Sequence, residues 1–539
     1  RGARLAAPAN GTPAVARGDG PEFRLEQEFS FAVTRATGTP AASVATRPGQ
    51  ATTETAAPPA GGGPPSEWTA VDTLPGYRGV RLPFPATLMP TALALRPDGS
   101  LAVCSLKGQV YVARDGDGDG IPERLDLFDE GLAAPFGILA EGDDLLVAHK
   151  PEVVRLRDTD GDGRADTREV VAAGWGYTDD YHDWTTGVVR DSQGRLYIGL
   201  GSDYSKGGRT AAQGYLRGKV LRIERDGSLT PMGHQFRFPM GLAIDGADEV
   251  FVSDNQGVQN PFNEINHLVE GGRYGVPSLF EEPSDQAPRV PAIQVPHPWT
   301  RSVNGLFFLN ADKEGAFAGD GVGCEYDSRF LVRFQPEQVA GRWQGAVFPF
   351  SLPPQQLLTA ETRRQGPARG FLGTLCGTQG PRGEIYIGAI HDIGWTGWAN
   401  VGEVVRLVPT GEVPTGLRSI SARPDGLQLR FTRPILAERA LEPNRYALSG
   451  LTREWKGGYA TPDSGQHRPT VERVEVSPDR LTVTLRCTGL RRGFVYEVRV
   501  GDLAEEPLWP AVGYYTLHAF PGDRPEEGVP AAGPPAEGK

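Results

Sequence analysis

Cysteine is scarce in this chain: Cys104, Cys324, Cys376 and Cys487 are the whole supply in 539 residues. None sits in a CxxC pair, which leaves zinc-ribbon, thioredoxin-like and CxxCH haem readings without their ligands. Buried thiols are the expected state, with a Cys324–Cys376 disulfide as the alternative. Long apolar runs are missing too, and no stretch approaches the ~20 residues that a membrane-spanning helix needs. Positive charge is in deficit: 55 Lys and Arg against 67 Asp and Glu give a net charge of −12. The basic residues are scattered, so nucleic acid is excluded as a partner, because phosphate binding needs them clustered. The chain opens on Arg1 rather than Met. A removed leader or a trimmed end would explain this, and a periplasmic or secreted location is expected.

Glycine (71) and proline (47) are abundant instead, and helix formers are concentrated nowhere. Many short strands joined by turns suit that balance. A chain of this length needs more than one core. Residues 1–66 are rich in Pro, Ala and Gly and bury too little to offset the entropy of ordering. They read as an extended arm in which only Phe29, Phe31 and Val33 alternate as a strand would.

From 67 to 409 a unit recurs. Its second strands read Leu101-Ala102-Val103, Leu145-Leu146-Val147, Leu196-Tyr197-Ile198, Val250-Phe251-Val252, Ala316-Phe317-Ala318 and Ile385-Tyr386-Ile387. Third strands include Val153-Val154-Arg155-Leu156, Val220-Leu221-Arg222-Ile223, Leu331-Val332-Arg333-Phe334 and Val404-Val405-Arg406-Leu407. Six copies predict an all-β, six-bladed β-propeller, with blade five the weakest repeat. Residues 410–520 change character. Leu427, Leu429 and Phe431, then Leu481, Val483, Leu485 and Cys487, alternate between frequent turns. That pattern predicts an immunoglobulin- or fibronectin-like β-sandwich, followed by a flexible tail over 521–539.

Two loops carry metal-type spacing. Asp158-x-Asp160-x-Asp162-Gly163 with Glu169 follows the twelve-position calcium loop, with oxygens at positions 1, 3 and 5, a bend glycine at 6 and a carboxylate at 12. Asp115-x-Asp117-x-Asp119-Gly120 with Asp126 is a near copy. The flanks read as strands, so structural calcium at blade edges is expected, with acidic metal-free turns as the alternative.

Several blade segments carry a family resemblance: Gly218-Lys219-Val220-Leu221-Arg222-Ile223 before Asp226-Gly227, Arg237-Phe238-Pro239-Met240-Gly241, Asn263-Glu264-Ile265-Asn266, and Gly271-Gly272-Arg273-Tyr274-Gly275-Val276-Pro277. They resemble the PQQ-dependent glucose and sorbosone dehydrogenase propellers over roughly 85–409. The resemblance implies a PQQ cofactor over the central channel, a catalytic histidine, cationic side chains clamping the cofactor carboxylates, and calcium. His182 is the candidate base and Arg237 matches the blade-four arginine. Gly319-Asp320-Gly321-Val322-Gly323-Cys324 and Phe371-Leu372-Gly373-Thr374-Leu375-Cys376 stand where the family carries the rest of the clamp. A tricarboxylate without those cations is poorly paired. The sequence therefore favours a non-catalytic propeller, an interaction subunit of an envelope assembly such as an electron-transfer complex. Its protein partners would be held by the arm and by aromatic loops around Trp175, Tyr177, Tyr181 and Trp184 or around Trp395 and Trp398, peripheral to a membrane at most. A PQQ- and calcium-dependent sugar or alcohol dehydrogenase is the alternative.

Overall fold

The structure is a computed structural model describing residues 70–71 and 75–525, apart from 181, 205–206, 282–283, 298, 312–314, 352–369, 397–399 and 459–460. The arm, most of the tail and the Trp398 position lie outside the described residues, as do the side chain of Trp395 and the whole of Tyr181. No helix among the described residues is long and apolar enough to cross a membrane.

Apolar residues alternating with glycine and small residues make short strands, and these assemble into six antiparallel blades. Blade one is Pro90–Leu95, Leu101–Ser105, Val110–Arg114 and Arg124–Asp129. Blade two is Gly137–Glu141, Asp144–His149, Glu152–Arg157 and Thr167–Ala173. Blade three runs Thr185–Arg190, Leu196–Leu200, Lys219–Ile223 and Leu229–His234, and blade four runs Pro239–Ile244, Val250–Asp254, Asn263–His267 and Ile293–Val295. Blade six, Gly373–Gln379, Ile385–His391 and Val401–Pro409, takes its fourth strand from the other end of the propeller: Tyr77–Arg81 pairs with it from Tyr77↔Pro409 to Arg81↔Val405. This closes the ring by hydrogen bonds and removes an exposed edge.

The first strand of each blade lies innermost and packs on the first strand of the next, the sixth returning to the first. Glycine makes that approach feasible. A Cβ on Gly137 would fall 1.5 Å from the carbonyl oxygen of Gly187 in the neighbouring blade. Between the six strands lies an axial cavity of about 430 Å³.

Blade five departs from the sequence reading. Its second strand is Gly321–Glu325, between Val303–Phe308 and Phe330–Val339, and Ala316–Ala318 lies in a turn. Phe317 is buried there because its ring covers the guanidinium of Arg333, 4.5 Å away. The fourth strand, Arg342–Pro349, pairs with Val512–Leu517, so blade five continues into an eight-stranded sheet with Phe494–Val500, Tyr446–Thr452 and Ser464–His467. A second sheet, Leu417–Arg423, Gly426–Phe431, Thr482–Thr488 and Thr470–Val476, faces it. Leu427, Leu429, Val483 and Leu485 of one sheet share a core with Tyr496, Val498 and Leu517 of the other. The C-terminal region is thus a two-sheet sandwich built onto the propeller. All four cysteines are free thiols, and Cys104, Cys324 and Cys376 are buried in the blades.

Candidate functional site

Met89, Phe136, Trp184 and Phe238 each stand one residue before the innermost strand of their blade. That shared position brings them together at one end of the axis. Met240, Tyr326, Leu375 and Ile390 complete the cluster, so every blade contributes to it. Phe136 stacks on Trp184 at 4.4 Å, and Phe238 meets Trp184 edge-on at 5.9 Å. Phe136, Met240 and Leu375 also line the axial cavity, so this aromatic floor caps it.

His182 and Arg237, far apart in sequence, meet at this floor. The His182 ring lies 5.2 Å from Phe238 and 5.7 Å from Trp184, with Nδ1 3.6 Å from the Asp180 carboxylate. The Arg237 guanidinium lies over Phe238 at 5.6 Å and over Tyr204 at 5.7 Å, and its Nε donates to the Tyr204 hydroxyl at 3.2 Å. The loop carrying His182 is tied down from behind. Lys150 Nζ donates to the carbonyls of Thr178 and Asp180, and buried Asp183 accepts from Thr178 N at 2.7 Å and from Arg209 at 2.7 Å. Arg217 is fully buried beneath it, donating to Gly201 O, and burial lowers its pKa to about 10.

Of the aromatics singled out from sequence, Trp184 is part of the floor. Trp175 is a packing residue, buried, with Nε1 donating to Lys150 O at 2.8 Å. Tyr177 is exposed.

A second arginine repeats the placement of Arg237 one blade on. Arg237 stands two residues before Pro239–Ile244, and the Asp254 carboxylate accepts its N–H (2.8 Å) and that of Phe238 (2.5 Å). Arg301 stands two residues before Val303–Phe308, and the Glu325 carboxylate accepts its N–H (2.9 Å) and that of Ser302 (3.0 Å). Asp254 and Glu325 each end the second strand of their blade. Arg301 keeps its side chain partly exposed, 3.7 Å from Asp327. Arg329 follows in the turn Tyr326–Arg329, in left-handed backbone at φ 59°; burial, with the Arg329 charge adding to it, lowers the His391 pKa to about 4. Sequence reasoning missed Arg301, Arg329, Asp254 and Glu325, because blade register aligns them, not local motif.

The acidic loops fold as paired turns, though not around the residues expected at the twelfth position. Asp115, Asp117, Asp119 and Glu123 place one carboxylate oxygen each within 4.8 Å of one another, and Asp158, Asp160 and Asp166 do the same. Asp162 belongs to the second loop but not to its cluster, its Oδ1 accepting from Arg164 N at 2.8 Å. Asp126 and Glu169 are already on the following strands, where Asp126 pairs with Arg114 at 2.8 Å and Glu169 with Arg155 at 3.7 Å. The ninth position, Glu123 or Asp166, supplies the later carboxylate because the chain enters a strand directly after it.

Residues 94–309 match a family model described as a domain of unknown function, DUF7133. No curated protein matches the chain. Among solved structures, a putative oxidoreductase (glucose dehydrogenase) from Thermus thermophilus is similar at 21% identity and a TM-score of 0.46, covering 62% of this chain and 100% of that one. The PQQ-bound aldose sugar dehydrogenase of Streptomyces coelicolor (16% identity, TM-score 0.42) and the soluble aldose sugar dehydrogenase of Escherichia coli in its apo form (17%, 0.42) each cover 62% of this chain and 99% of their own.

Proposed function

We propose that the floor at the channel mouth takes a planar, carboxylate-bearing quinone of the PQQ kind, and that the chain is an extracytoplasmic sugar or alcohol dehydrogenase. The observation that carries this reading is the repeated placement of Arg237 and Arg301 in blades four and five. Arg237 lies over Phe238 of the floor, Arg301 holds the same register position one blade on, and Arg329 stands three residues after Tyr326 of the floor. Guanidinium groups pair carboxylates bidentately, and an apolar aromatic floor suits a flat ring. The residues therefore fit the group, with Arg237, Arg301 and Arg329 holding its carboxylates. The quinone, when bound, supplies the hydride acceptor. His182 takes the substrate hydroxyl proton at Nε2, since Nδ1 faces Asp180 and that carboxylate stabilises the imidazolium. Trp184 and Phe238, both packed against the ring, limit water around it.

Calcium belongs to the two acidic loops in this reading, as a structural ion at the edges of blades one and two. The sandwich is read as immunoglobulin-like from its strand order, first-second-sixth-fifth facing fourth-third-seventh-eighth.

A second reading is a non-catalytic interaction subunit. It is favoured by the fusion of the sandwich to blade five, which leaves the short strand Ser464–His467 at an open sheet edge for a partner strand.

The test is to load purified protein with PQQ and calcium, remove excess, and measure retained quinone and dye reduction with aldoses and alcohols. Retained quinone, lost in Arg301→Ala, together with turnover lost in His182→Ala, is the expected result. No retained quinone in the parent protein overturns the dehydrogenase reading and leaves the interaction subunit.

A further inference from the structure

Four large apolar side chains are exposed near the mouth: Tyr177 (41%), Tyr215 (57%), Leu279 (45%) and Phe280 (45%). They come from three separate segments, and the chain spends buried polar contacts to bring them together. Gly176 N donates to Tyr215 O at 2.8 Å, setting Tyr177 beside Tyr215. Phe280 lies against the residue before Tyr215: a Cβ on Gly214 would fall 2.3 Å from the Phe280 ring and 2.6 Å from the Asp203 carboxylate. Asp203, fully buried, fixes the third segment by accepting from Ser278 Oγ at 2.6 Å and from Leu279 N at 3.0 Å.

This patch is continuous with the candidate site. Tyr177 and His182 belong to the one loop that Asp183 folds back through Thr178 N. Tyr204, whose hydroxyl receives the Arg237 Nε–H, begins the excursion that ends at Tyr215. An aromatic surface held on a fixed backbone loses little entropy on binding, unlike one that must be ordered first. Its charge surroundings narrow the occupant. Asp179 and Asp180 are the carboxylates of these segments that reach solvent, since Asp183 and Asp203 are buried, Asp183 is paired with Arg209 at 2.7 Å and Glu281 with Arg273 at 3.2 Å, and the whole chain carries −12. An anionic polymer is therefore repelled. A neutral polyhydroxylated ring presents C–H faces to aromatic rings and hydroxyls to carboxylates, and suits both features.

We infer that Tyr177, Tyr215 and Phe280 form an outer subsite for the further sugar rings of a neutral oligosaccharide whose terminal ring enters the mouth at His182. This rests on the dehydrogenase reading and deepens it to substrates longer than a single ring. The step at the subsite is binding only.

The experiment is calorimetric titration of the full chain, without added cofactor, with glucose, cellobiose, cellohexaose and maltohexaose, and with hexagalacturonate as the anionic control. A neutral hexasaccharide should bind at least tenfold more tightly than glucose, and hexagalacturonate should not bind. Tyr215→Ala with Phe280→Ala should bring the hexasaccharides to the glucose level, and Tyr215→Trp should retain the gain. Equal affinity for one ring and six overturns the inference, as does a gain untouched by the alanine pair. Self-association of the parent chain that the alanine pair abolishes would overturn it too, by assigning the patch to a second copy. Length-dependent binding alongside absent quinone retention would uphold the subsite and remove only the dehydrogenase reading.

Discussion

Asp254 and Glu325 are acids placed where ionisation is costly. Burial raises Asp254 from 3.8 to about 6 and Glu325 from 4.5 to about 7, against the backbone N–H groups that favour the charged form. The sign of the consequence follows from linkage. Between the ordinary and the raised value the folded state binds a proton that the unfolded state has released, so stability falls as pH rises through that interval. The two groups together place the loss between pH ~4 and ~7. At one unit per ~1.4 kcal/mol, each is worth on the order of 3 kcal/mol. Thermal unfolding across pH 4–8 should show the midpoint declining over this window, with Glu325→Gln flattening its upper part. A midpoint that climbs steadily from 4 to 7 would refute the assignment. Both acids hold the backbone that carries an arginine, so Glu325→Gln should also weaken quinone retention where Arg301 is unchanged. None of this was legible locally. Val252-Ser253-Asp254 and Gly323-Cys324-Glu325 look like ordinary strand ends, and only the fold shows that each faces the start of its blade's innermost strand.

At the scale of the element, strands with alternating or continuous apolar residues were readable, and five of the six second strands lie where their pattern places them. Blade five failed for a physical reason. Its true strand, Gly321-Val322-Gly323-Cys324-Glu325, is glycine-rich because Phe334 and Val303 pack where side chains would stand. Ala316-Phe317-Ala318 mimics a strand because Phe317 is apolar for another purpose, covering an arginine. A twelve-position loop assumes a helix after it; here a strand carries position 12 away, and the carboxylate that lies with the other loop acids is the ninth residue's. This separates two predictions for calcium. Removal of calcium with a chelator should lower the unfolding midpoint by an amount matching about 2–3 kcal/mol for each occupied loop when free calcium is a hundredfold above its dissociation constant. Glu123→Gln and Asp166→Asn should shrink that difference, whereas Asp126→Asn and Glu169→Gln should leave it intact. The reverse pattern would restore the twelve-position reading, and no chelator effect would mark both loops as metal-free turns.

At the scale of the whole molecule, a buried guanidinium ties the propeller to the sandwich beside the strand pairing that joins them. Arg333 is fully buried, between the rings of Phe317 at 4.5 Å and Phe348 at 4.2 Å. It donates to Asp320 at 2.7 Å and to the carbonyls of Leu417 and Arg418, both at 2.9 Å, on the first strand of the sandwich. Arg418 returns the contact by donating to the same Asp320 at 2.7 Å. Burial lowers the Arg333 pKa to about 10, which leaves it charged at neutral pH. One carboxylate therefore serves two arginines, one from each body, while the shared eight-stranded sheet adds backbone pairing beside them. Bodies coupled this way should unfold together. Arg333→Met keeps most of the volume but removes the charge and the two carbonyl contacts, and losing one member of such a buried set costs about 3–5 kcal/mol. Asp320→Asn should be worse, because it strips the counter-charge from two guanidiniums at once. Calorimetry of the parent chain should show one transition. In Arg333→Met the sandwich should separate as an earlier, second transition while the propeller midpoint moves little. A single unshifted transition in both variants would mean that the strand pairing between Arg342–Pro349 and Val512–Leu517 couples the two bodies without help from the ion network.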